Sequence, residues 1–348
     1  MKFNFQRVIK YVFVKKMPFC ISFCLGLICS LMVHGQGIES IRSKFSKIEF
    51  LYNDVTGIGY EKGCTRRDPS DVIRVNDICY VYYTKIYGRS PGYWGTVWYA
   101  TSRDEGHTWK EQGEILGLGK KGMFDSQATF TPNIFCAGGK YYLYYTGVKP
   151  TPGNAKGEFE NNSTTDITAI GVALSDSPGG PFTRVSDEPI LKVSVEPEKF
   201  DSYRVDDASL LYRNGLYWLY YKGRSRVNQS EGPAHTKMGV AYSADPEGPF
   251  IKYRKSILPQ SHEVLIWQEG NGVAALASLS GTLEFAPDGI DFTTNKLSVK
   301  VKEFPRAPGA YRNDIADQKT IGEGLKWGIS MVINGEECYL TRFTVISN

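Results

Sequence analysis

Acidic side chains recur at one place in this sequence, just before short strands rich in aromatic residues. They are Asp68, Asp206 and Glu263, and His262 directly precedes the last of them. Two carboxyl groups that face each other across a cavity can cleave a glycosidic bond, because one activates water as a base while the other protonates the leaving oxygen. This chemistry requires elements that bring the three segments together.

The segments that follow the acids repeat in a fixed order. Each unit has a turn and an aromatic strand, then a second strand that ends in a tight turn, and helical periodicity is nearly absent. The first unit has its two strands at residues 76–83 and 97–109, the second at 138–145 and 170–182, and the third at 214–221 and 238–250. A fourth, less regular copy lies at 282–292, and a last pair of strands lies at 327–332 and 337–344. Such ordered recurrence is typical of propeller blades, whereas a two-sheet sandwich does not predict it. We therefore predict an all-β fold, a five-bladed β-propeller with a short N-terminal helical segment.

In a propeller the innermost strands open onto a central channel, so residues at the start of each unit converge. Aligning Asn76 with Asn214 makes Asp68 equivalent to Asp206, and each lies near an arginine. Taken singly, an aspartate is more often a turn residue, but two in register together with Glu263 indicate a shared site. Repulsion between carboxylates in such a site raises the pKa of one of them, which keeps an acid protonated near neutral pH.

Candidate substrate contacts surround these acids. In the second and third units they are Asp125, Gln127, Thr131, Arg204 and Asp207. Trp94 lies in a glycine-rich loop, where its ring either stacks on a sugar or simply packs. His235 precedes a second strand and is either a substrate contact or an ordinary surface residue.

One further motif is interpreted as structural. Residues 102–109 resemble the Asp-box of sialidases, a turn on the outer part of a blade in which an aspartate caps the backbone and a tryptophan packs.

Four segments resemble glycoside hydrolase family 117: RRDPSDVI, FDSQATFTPNIF, RVDDASLLY and SHEVLIWQEGNGVAAL, within a likeness that covers most of residues 52–346. The resemblance implies an exo-acting enzyme that inverts the anomeric configuration. The implied product is 3,6-anhydro-L-galactose, released from the non-reducing end of neoagarooligosaccharides.

The resemblance also implies a role for each acidic residue. Asp68 would be the general base. The second aspartate, which tunes the site, falls on Asp206, or on Asp207 if the register slips by one. His262 would be the general acid beside Glu263, and we expect Glu263 to raise the pKa of His262 so that the imidazolium persists.

Two alternative functions use the same scaffold. An α-L-arabinofuranosidase or β-xylosidase would use Glu263 itself as the acid. A propeller that binds a glycan without cleaving it would need no catalytic acid at all.

The N-terminus predicts export. Residues 1–35 carry five basic and no acidic residues, an apolar run and a small-residue cleavage pattern, which indicates a signal peptide and a periplasmic or secreted protein. A single membrane anchor is the alternative. We predict an N-terminal arm at residues 36–51 and the catalytic propeller at 52–348.

Charge and composition restrict the partners. The chain has 41 Lys and Arg against 37 Asp and Glu, so removal of the five basic residues of the leader leaves it almost neutral. A nucleic-acid partner would need a basic stripe. We expect an oligosaccharide substrate, no cofactor, no metal and no membrane contact after the leader is removed.

Residues 37–50 form the one plausible helix, which either covers the propeller's edge or grips a second subunit. Family 117 members have a longer arm with a Ser-x-Ala-x-x-Arg motif that exchanges between two subunits. This arm is shorter and lacks the motif, so a homodimer stays an alternative rather than an expectation.

Overall fold

The computed structural model describes residues 37–87, 95–149, 167–277, 280–292, 297–312 and 324–347. The chain divides into two compact units, Met1–Ile41 and Arg42–Asn348. The proposed signal peptide, residues 1–35, lies outside the described residues. Among the residues that are described, no helix is long and apolar enough to cross a membrane.

The larger unit contains five antiparallel sheets, each of which is one blade. Blade 1 has β2 (Cys64–Arg67), β3 (Ile73–Val75), β4 (Ile78–Tyr87), β5 (Thr96–Ser102) and β6 (Lys110–Leu116). Blade 2 has β7 (Ala128–Ala137), β8 (Lys140–Lys149), β9 (Ile167–Ser175) and β10 (Thr183–Arg184). Blade 3 has β11 (Arg204–Arg213), β12 (Leu216–Arg224), β13 (Lys237–Ser243), β14 (Ile251–Lys252) and β15 (Leu258–Pro259). Blade 4 has β16 (Val264–Glu269), β17 (Gly272–Ala277), β18 (Thr282–Ala286) and β19 (Ser298–Lys300). Blade 5 has β20 (Arg306–Ala310), β21 (Trp327–Asn334), β22 (Glu337–Ser347) and the N-terminal strand β1 (Ile48–Asp54). The predicted five-bladed propeller is confirmed.

The fifth blade joins both ends of the propeller. Strand β1 pairs with β22 from Ile48↔Ser347 to Asp54↔Thr341, so the N-terminal strand completes the sheet begun by the C-terminal one. Ile48 and Phe50 are buried while Glu49 and Leu51 are exposed, which is the period-two pattern of a strand. The propeller therefore begins at residue 48, and the predicted boundary at residue 52 was placed too late.

The predicted helix is shorter than its pattern suggested. Helix α1 covers residues 37–45 rather than 37–50. At its end Phe45 is almost fully buried and lies against Trp267 of blade 4. The ammonium of Lys44 contacts Oε1 of Glu269 at 2.5 Å. This end of the helix packs on blade 4, as a cover for the propeller's edge would.

Buried tyrosines on the second strands join consecutive blades. The hydroxyl of Tyr82 donates to the carbonyl of Pro178, Tyr144 donates to Pro246 at 2.6 Å, and Tyr220 donates to Gly289 at 2.9 Å. A buried tyrosine supplies a large apolar ring but needs a partner for its hydroxyl, and the turn of the next blade provides one. The aromatic repeat in the sequence therefore supplies the side chains that pack between consecutive blades.

The Asp-box-like segment is a structural turn, as interpreted. Oδ1 of Asp104 accepts from the backbone N–H of Thr108 at 2.9 Å. The indole of the buried Trp109 donates to the carbonyl of Gly106, also at 2.9 Å.

Candidate active site

Every blade has one residue other than glycine with positive φ near the start of its first strand. These residues are Asp68 (φ 49°), Thr131 (φ 42°), Asp207 (φ 53°), Glu263 (φ 56°) and Ala307 (φ 40°). In blades 2, 3 and 5 they lie in a β-bulge, where the pairing register with the second strand shifts. Such backbone conformations are uncommon for these residue types, and they cluster at functional sites. In blades 1 and 4 the residue lies just outside a strand, Asp68 after β2 and Glu263 before β16.

These five residues line one pocket. Its cavity volume is about 40 Å³, and its other lining residues are Pro69, Pro132, Asn133, Ala208 and Pro308. The structure therefore brings Asp68, Asp207 and Glu263, from three different blades, into one cavity.

The predicted equivalence of Asp68 and Asp206 is wrong by one residue. Asp68 lies eight positions before Asn76, whereas Asp207 lies seven positions before Asn214. The first strand of blade 1 is interrupted between β2 and β3, and the extra residue lies there. Asp206 is fully buried beneath the pocket, and Asp207 takes the place expected of Asp206.

Asp68 is oriented by its neighbour in sequence. Nε of Arg67 donates to Oδ2 of Asp68 at 2.7 Å, and Nη2 contacts Oδ1 at 3.4 Å. This side-on pair holds the carboxylate plane while the residue still lines the pocket.

Asp207 contacts a buried ammonium group. Nζ of Lys222, on β12, lies 2.6 Å from Oδ2 of Asp207 and 3.4 Å from Oδ1 of Asp206. Burial raises the pKa of Asp207 to about 6; the carboxylates of Asp206 and Asp68 add to this rise, and Lys222 opposes it. Asp207 is therefore mostly ionised at neutral pH.

Glu263 has the properties of a proton donor. Burial raises the pKa of Glu263 to about 7, with Asp207 and Asp68 adding to the effect and Lys222 opposing it. The backbone N–H of Ala307 donates to Oε2 at 3.3 Å, which leaves Oε1 to carry the proton. A carboxylic acid protonated near neutral pH can protonate a leaving oxygen.

His262 does not have the predicted properties. We expected Glu263 to raise its pKa, but the pKa of His262 is lowered well below its usual value by burial and by Lys222 and other cations. These other cations are Arg204, Arg67 and Arg224. His262 is therefore neutral, with Nε2 3.4 Å from Oε1 of Glu263. This lowered pKa is opposite in direction to the expected one, and within the pair the raised pKa belongs to Glu263.

The predicted contacts of blade 2 fall in two places. Thr131 lines the pocket, and its hydroxyl lies 2.5 Å from that of Thr146. Gln127 is half-buried four residues earlier, and within the part of the chain that the structure describes its Nε2 has no hydrogen-bond partner. Asp125 is buried away from the pocket and binds Arg184 and the hydroxyl of Tyr145. Its predicted contact with substrate is corrected to a structural role.

Neither Arg204 nor His235, two of the remaining predicted substrate contacts, lines the pocket. Arg204 is buried and its Nη2 binds Oδ2 of Asp206 at 2.6 Å, so it lies beneath the pocket rather than at its surface. His235 is exposed at the end of a 3-10 segment, Arg226–His235. The carbonyl of the next residue, Thr236, accepts from the backbone of Ser261, just before His262. Trp94 lies outside the described residues.

Two important residues were missed, Lys222 and Ala307, and Asn133 was not counted among the substrate contacts. For Lys222 a signal was present, because the second strands read YYT, YYT and YYK at residues 82–84, 144–146 and 220–222. Asn133 lines the pocket and also donates to Asp71 at 3.2 Å.

The described ranges contain no group of three or more His, Cys, Asp or Glu side chains that could hold a metal ion.

Comparisons with known proteins agree with this geometry. The family model described as glycosyl hydrolases family 43 matches residues 64–209. Zg3597, a family 117 glycoside hydrolase from the marine bacterium Zobellia galactanivorans, is 28% identical with a TM-score of 0.72, and the match covers 87% of this chain and 91% of that one. No curated protein matches the sequence.

Two more distant structures show the fold alone. An endo-arabinase from Bacteroides thetaiotaomicron has a TM-score of 0.52 at 13% identity, and the match covers 85% of this chain and 98% of that one. Fructan 1-exohydrolase IIa from Cichorium intybus has a TM-score of 0.54 at 12% identity, with 82% of this chain and 56% of that one covered.

Fold, pocket and comparisons together define a five-bladed propeller of the glycoside hydrolase class. Within that class the chain is related to families 117 and 43, and the resemblance to family 117 noted in its motifs is confirmed.

Proposed function

We propose that this protein is an exo-acting, inverting glycoside hydrolase that releases 3,6-anhydro-L-galactose from the non-reducing end of neoagarooligosaccharides. The observation that carries the catalytic part is the convergence of Asp68, Asp207 and Glu263, each with positive φ, around one small pocket. The sugar and linkage are taken from the likeness to family 117.

The three carboxyl groups have different tasks in this proposal. Asp68, oriented by Arg67, takes a proton from water as the water attacks the anomeric carbon. Glu263 gives its proton to the leaving oxygen, and the bond to the leaving sugar breaks. Asp207 stays ionised and stabilises the positive charge that develops on the sugar ring in the transition state. Neutral His262 holds Glu263 in place.

Digestion of neoagarobiose and longer neoagarooligosaccharides tests the substrate. We expect one terminal sugar per cleavage, and NMR during the reaction should show the anomer opposite to that of the substrate. Asp68→Asn should lower kcat by about 10²–10⁴-fold while substrate still binds, because a positioned base typically contributes that much. Unchanged turnover in Asp68→Asn would remove this residue from the mechanism.

A second candidate is supported by the family 43 match over residues 64–209. In this alternative the protein is an α-L-arabinofuranosidase or β-xylosidase with the same base and acid. Release of nitrophenol from nitrophenyl α-L-arabinofuranoside or β-xyloside, without cleavage of neoagarobiose, would favour it. Tight oligosaccharide binding with no turnover on any of these substrates would indicate a glycan-binding propeller instead.

A further inference from the structure

The charged groups beneath Asp207 form a compact buried cluster. Asp206, on β11, lies across the strand pair from Lys222, on β12, and Arg204 lies across from Arg224. All four side chains are nearly or fully buried. Lys222 touches both aspartates, and Arg204 binds Asp206 at 2.6 Å.

Blade 2 shows that the fold does not need these charges. The residue pairs at the same positions of β7 and β8 are Phe130 with Thr146 and Ala128 with Val148. There Ala128, Phe130 and Val148 form a small apolar cluster. Burying several charges costs more free energy than burying apolar side chains of similar size. The charged cluster of blade 3 therefore has a purpose other than stability.

The position of Lys222 indicates that purpose. In blade 2 the bulge residue Thr131 meets the hydroxyl of Thr146 on the second strand, a neutral contact. In blade 3 the bulge residue Asp207 meets the ammonium of Lys222 at the same place. An ammonium in direct contact stabilises the ionised form of a carboxyl group. Asp206 contacts the same ammonium from below and competes with Asp207 for it.

We propose that Lys222 is a positioning residue that holds Asp207 as an anion at the pocket wall, and that Asp206 limits this effect by sharing the charge of Lys222. The inference rests on the proposed hydrolase function for its catalytic consequence only. The ionisation of Asp207 itself can be measured without any substrate.

The signs of the two effects are opposite. Lys222 lowers the pKa of Asp207, whereas the anion of Asp206 raises it. The other charged or titratable groups around this cluster are Asp68, Glu263, His262, Arg67, Arg204 and Arg224. Lys222 also lowers the pKa of Glu263 and of His262, so the titration of Asp207 is followed by its own resonance rather than by activity.

The first experiment measures Asp207 directly. The full chain, without its leader, is labelled with ¹³C at the aspartate side-chain carboxyl carbon, and the resonance of Asp207 is assigned by its absence in Asp207→Asn. In Lys222→Met the apparent pKa of Asp207 should rise by about one to three pH units, the usual effect of one adjacent opposite charge. In Asp206→Asn it should fall, and in Lys222→Arg it should stay close to that of the unchanged protein.

A purely structural role for Lys222 predicts a different result. Loss of packing would lower the melting temperature of Lys222→Met and Asp206→Asn without moving the pKa of Asp207 in opposite directions. Shifts of the same sign in both variants, or no shift in Lys222→Met, would overturn the proposal. If Lys222→Met does not fold, Lys222→Gln is titrated in its place: a rise in the apparent pKa of Asp207 supports the proposal, and the absence of a rise overturns it.

The second experiment measures catalysis. On a substrate that the unchanged protein cleaves, kcat/KM at pH 6 should fall at least about fivefold in Lys222→Met and recover in Lys222→Arg, since fewer molecules carry ionised Asp207. The acidic limb of the pH profile should move to higher pH in Lys222→Met and to lower pH in Asp206→Asn. If no glycoside is cleaved, the proposed function fails, while the NMR titration still decides the role of Lys222.

Discussion

Blades 2 and 3 have the same outer structure and a different inner one. In each, an aspartate before the first strand accepts from a tyrosine hydroxyl at 2.9 Å and from a cation on the fourth strand at 2.6 Å. These aspartates are Asp125 in blade 2 and Asp201 in blade 3, and their partners are Tyr145 with Arg184 and Tyr221 with Lys252. At the inner end, Thr131 of blade 2 is replaced by Asp207.

The comparison separates two kinds of buried carboxylate. An aspartate that recurs in both blades with equivalent partners belongs to the scaffold, so Asp125 and Asp201 each hold the second and fourth strands of their own blade together. An aspartate that one blade has and the other lacks, such as Asp207, is a candidate for the proposed chemistry. Burial and ion pairing alone do not distinguish Asp201 from Asp207, since both are buried and paired, but the sister blade does.

The largest expected effect comes from giving blade 3 the bulge residue of blade 2. Asp207→Thr should lower kcat by about 10²–10⁴-fold, because the anion that stabilises the transition state is lost. Thr131→Ser, which keeps the hydroxyl at the equivalent bulge, is the matched control and should stay within about threefold. Kinetics on the same oligosaccharide would check both, and similar losses in the two variants would contradict the division between the blades.

A larger exchange tests whether the charges cost stability. A multiple variant gives blade 3 the inner residues of blade 2. Its substitutions are Arg204→Ala, Asp206→Phe, Asp207→Thr, Lys222→Thr and Arg224→Val. It should be inactive, yet as stable as the unchanged protein or more stable by up to about 4 kcal/mol, because apolar groups replace buried ions.

The matched control for that exchange breaks the cluster instead of replacing it. Arg204→Ala alone should lower the free energy of unfolding by about 3–5 kcal/mol, since it leaves Asp206 buried without its arginine. Denaturant unfolding of both variants gives the comparison. A multiple variant less stable than Arg204→Ala would mean that blade 3 needs its charges to fold.

The repeated strands could be predicted from the sequence, whereas features that depend on contacts between residues far apart in the chain could not. The aromatic strands recur within each unit, so five blades could be counted from the sequence. Strand β1 gave no such signal, because its partner β22 lies at the other end of the chain. The one-residue error at Asp206 arose because a break in the first strand of blade 1 cannot be seen in an alignment anchored at the turns.

The error at His262 has an electrostatic cause. Its neighbour in sequence is Glu263, an anion when ionised, and this contact alone predicted a raised pKa. The structure adds burial and cations from other strands, among them Lys222 and Arg204, which outweigh that contact. Residue spacing identified the pair, but only the folded arrangement determines which member holds a proton.

The outer carboxylates should behave alike in the two blades. Asp125→Asn and Asp201→Asn should each lower the free energy of unfolding by about 1–3 kcal/mol, since each leaves a partly buried cation without its anion. Neither should change kcat by more than about twofold at a temperature where the variant is folded. Asp187→Asn removes an exposed ion pair with Lys120 and should cost at most about 1 kcal/mol. A loss of turnover in Asp125→Asn alone would restore its predicted contact with substrate.

The pH dependence of catalysis reports the two perturbed carboxyl groups. Asp207 must be ionised, so kcat/KM should fall below about pH 6, and Glu263 must be protonated, so it should also fall above about pH 7, each limb approaching tenfold per pH unit. Glu263→Gln, assayed with an aryl glycoside whose leaving group needs no proton, should retain activity and lose the alkaline limb. Persistence of that limb in Glu263→Gln would assign it to another group, and His262 is excluded from that role as long as the surrounding cations keep it neutral.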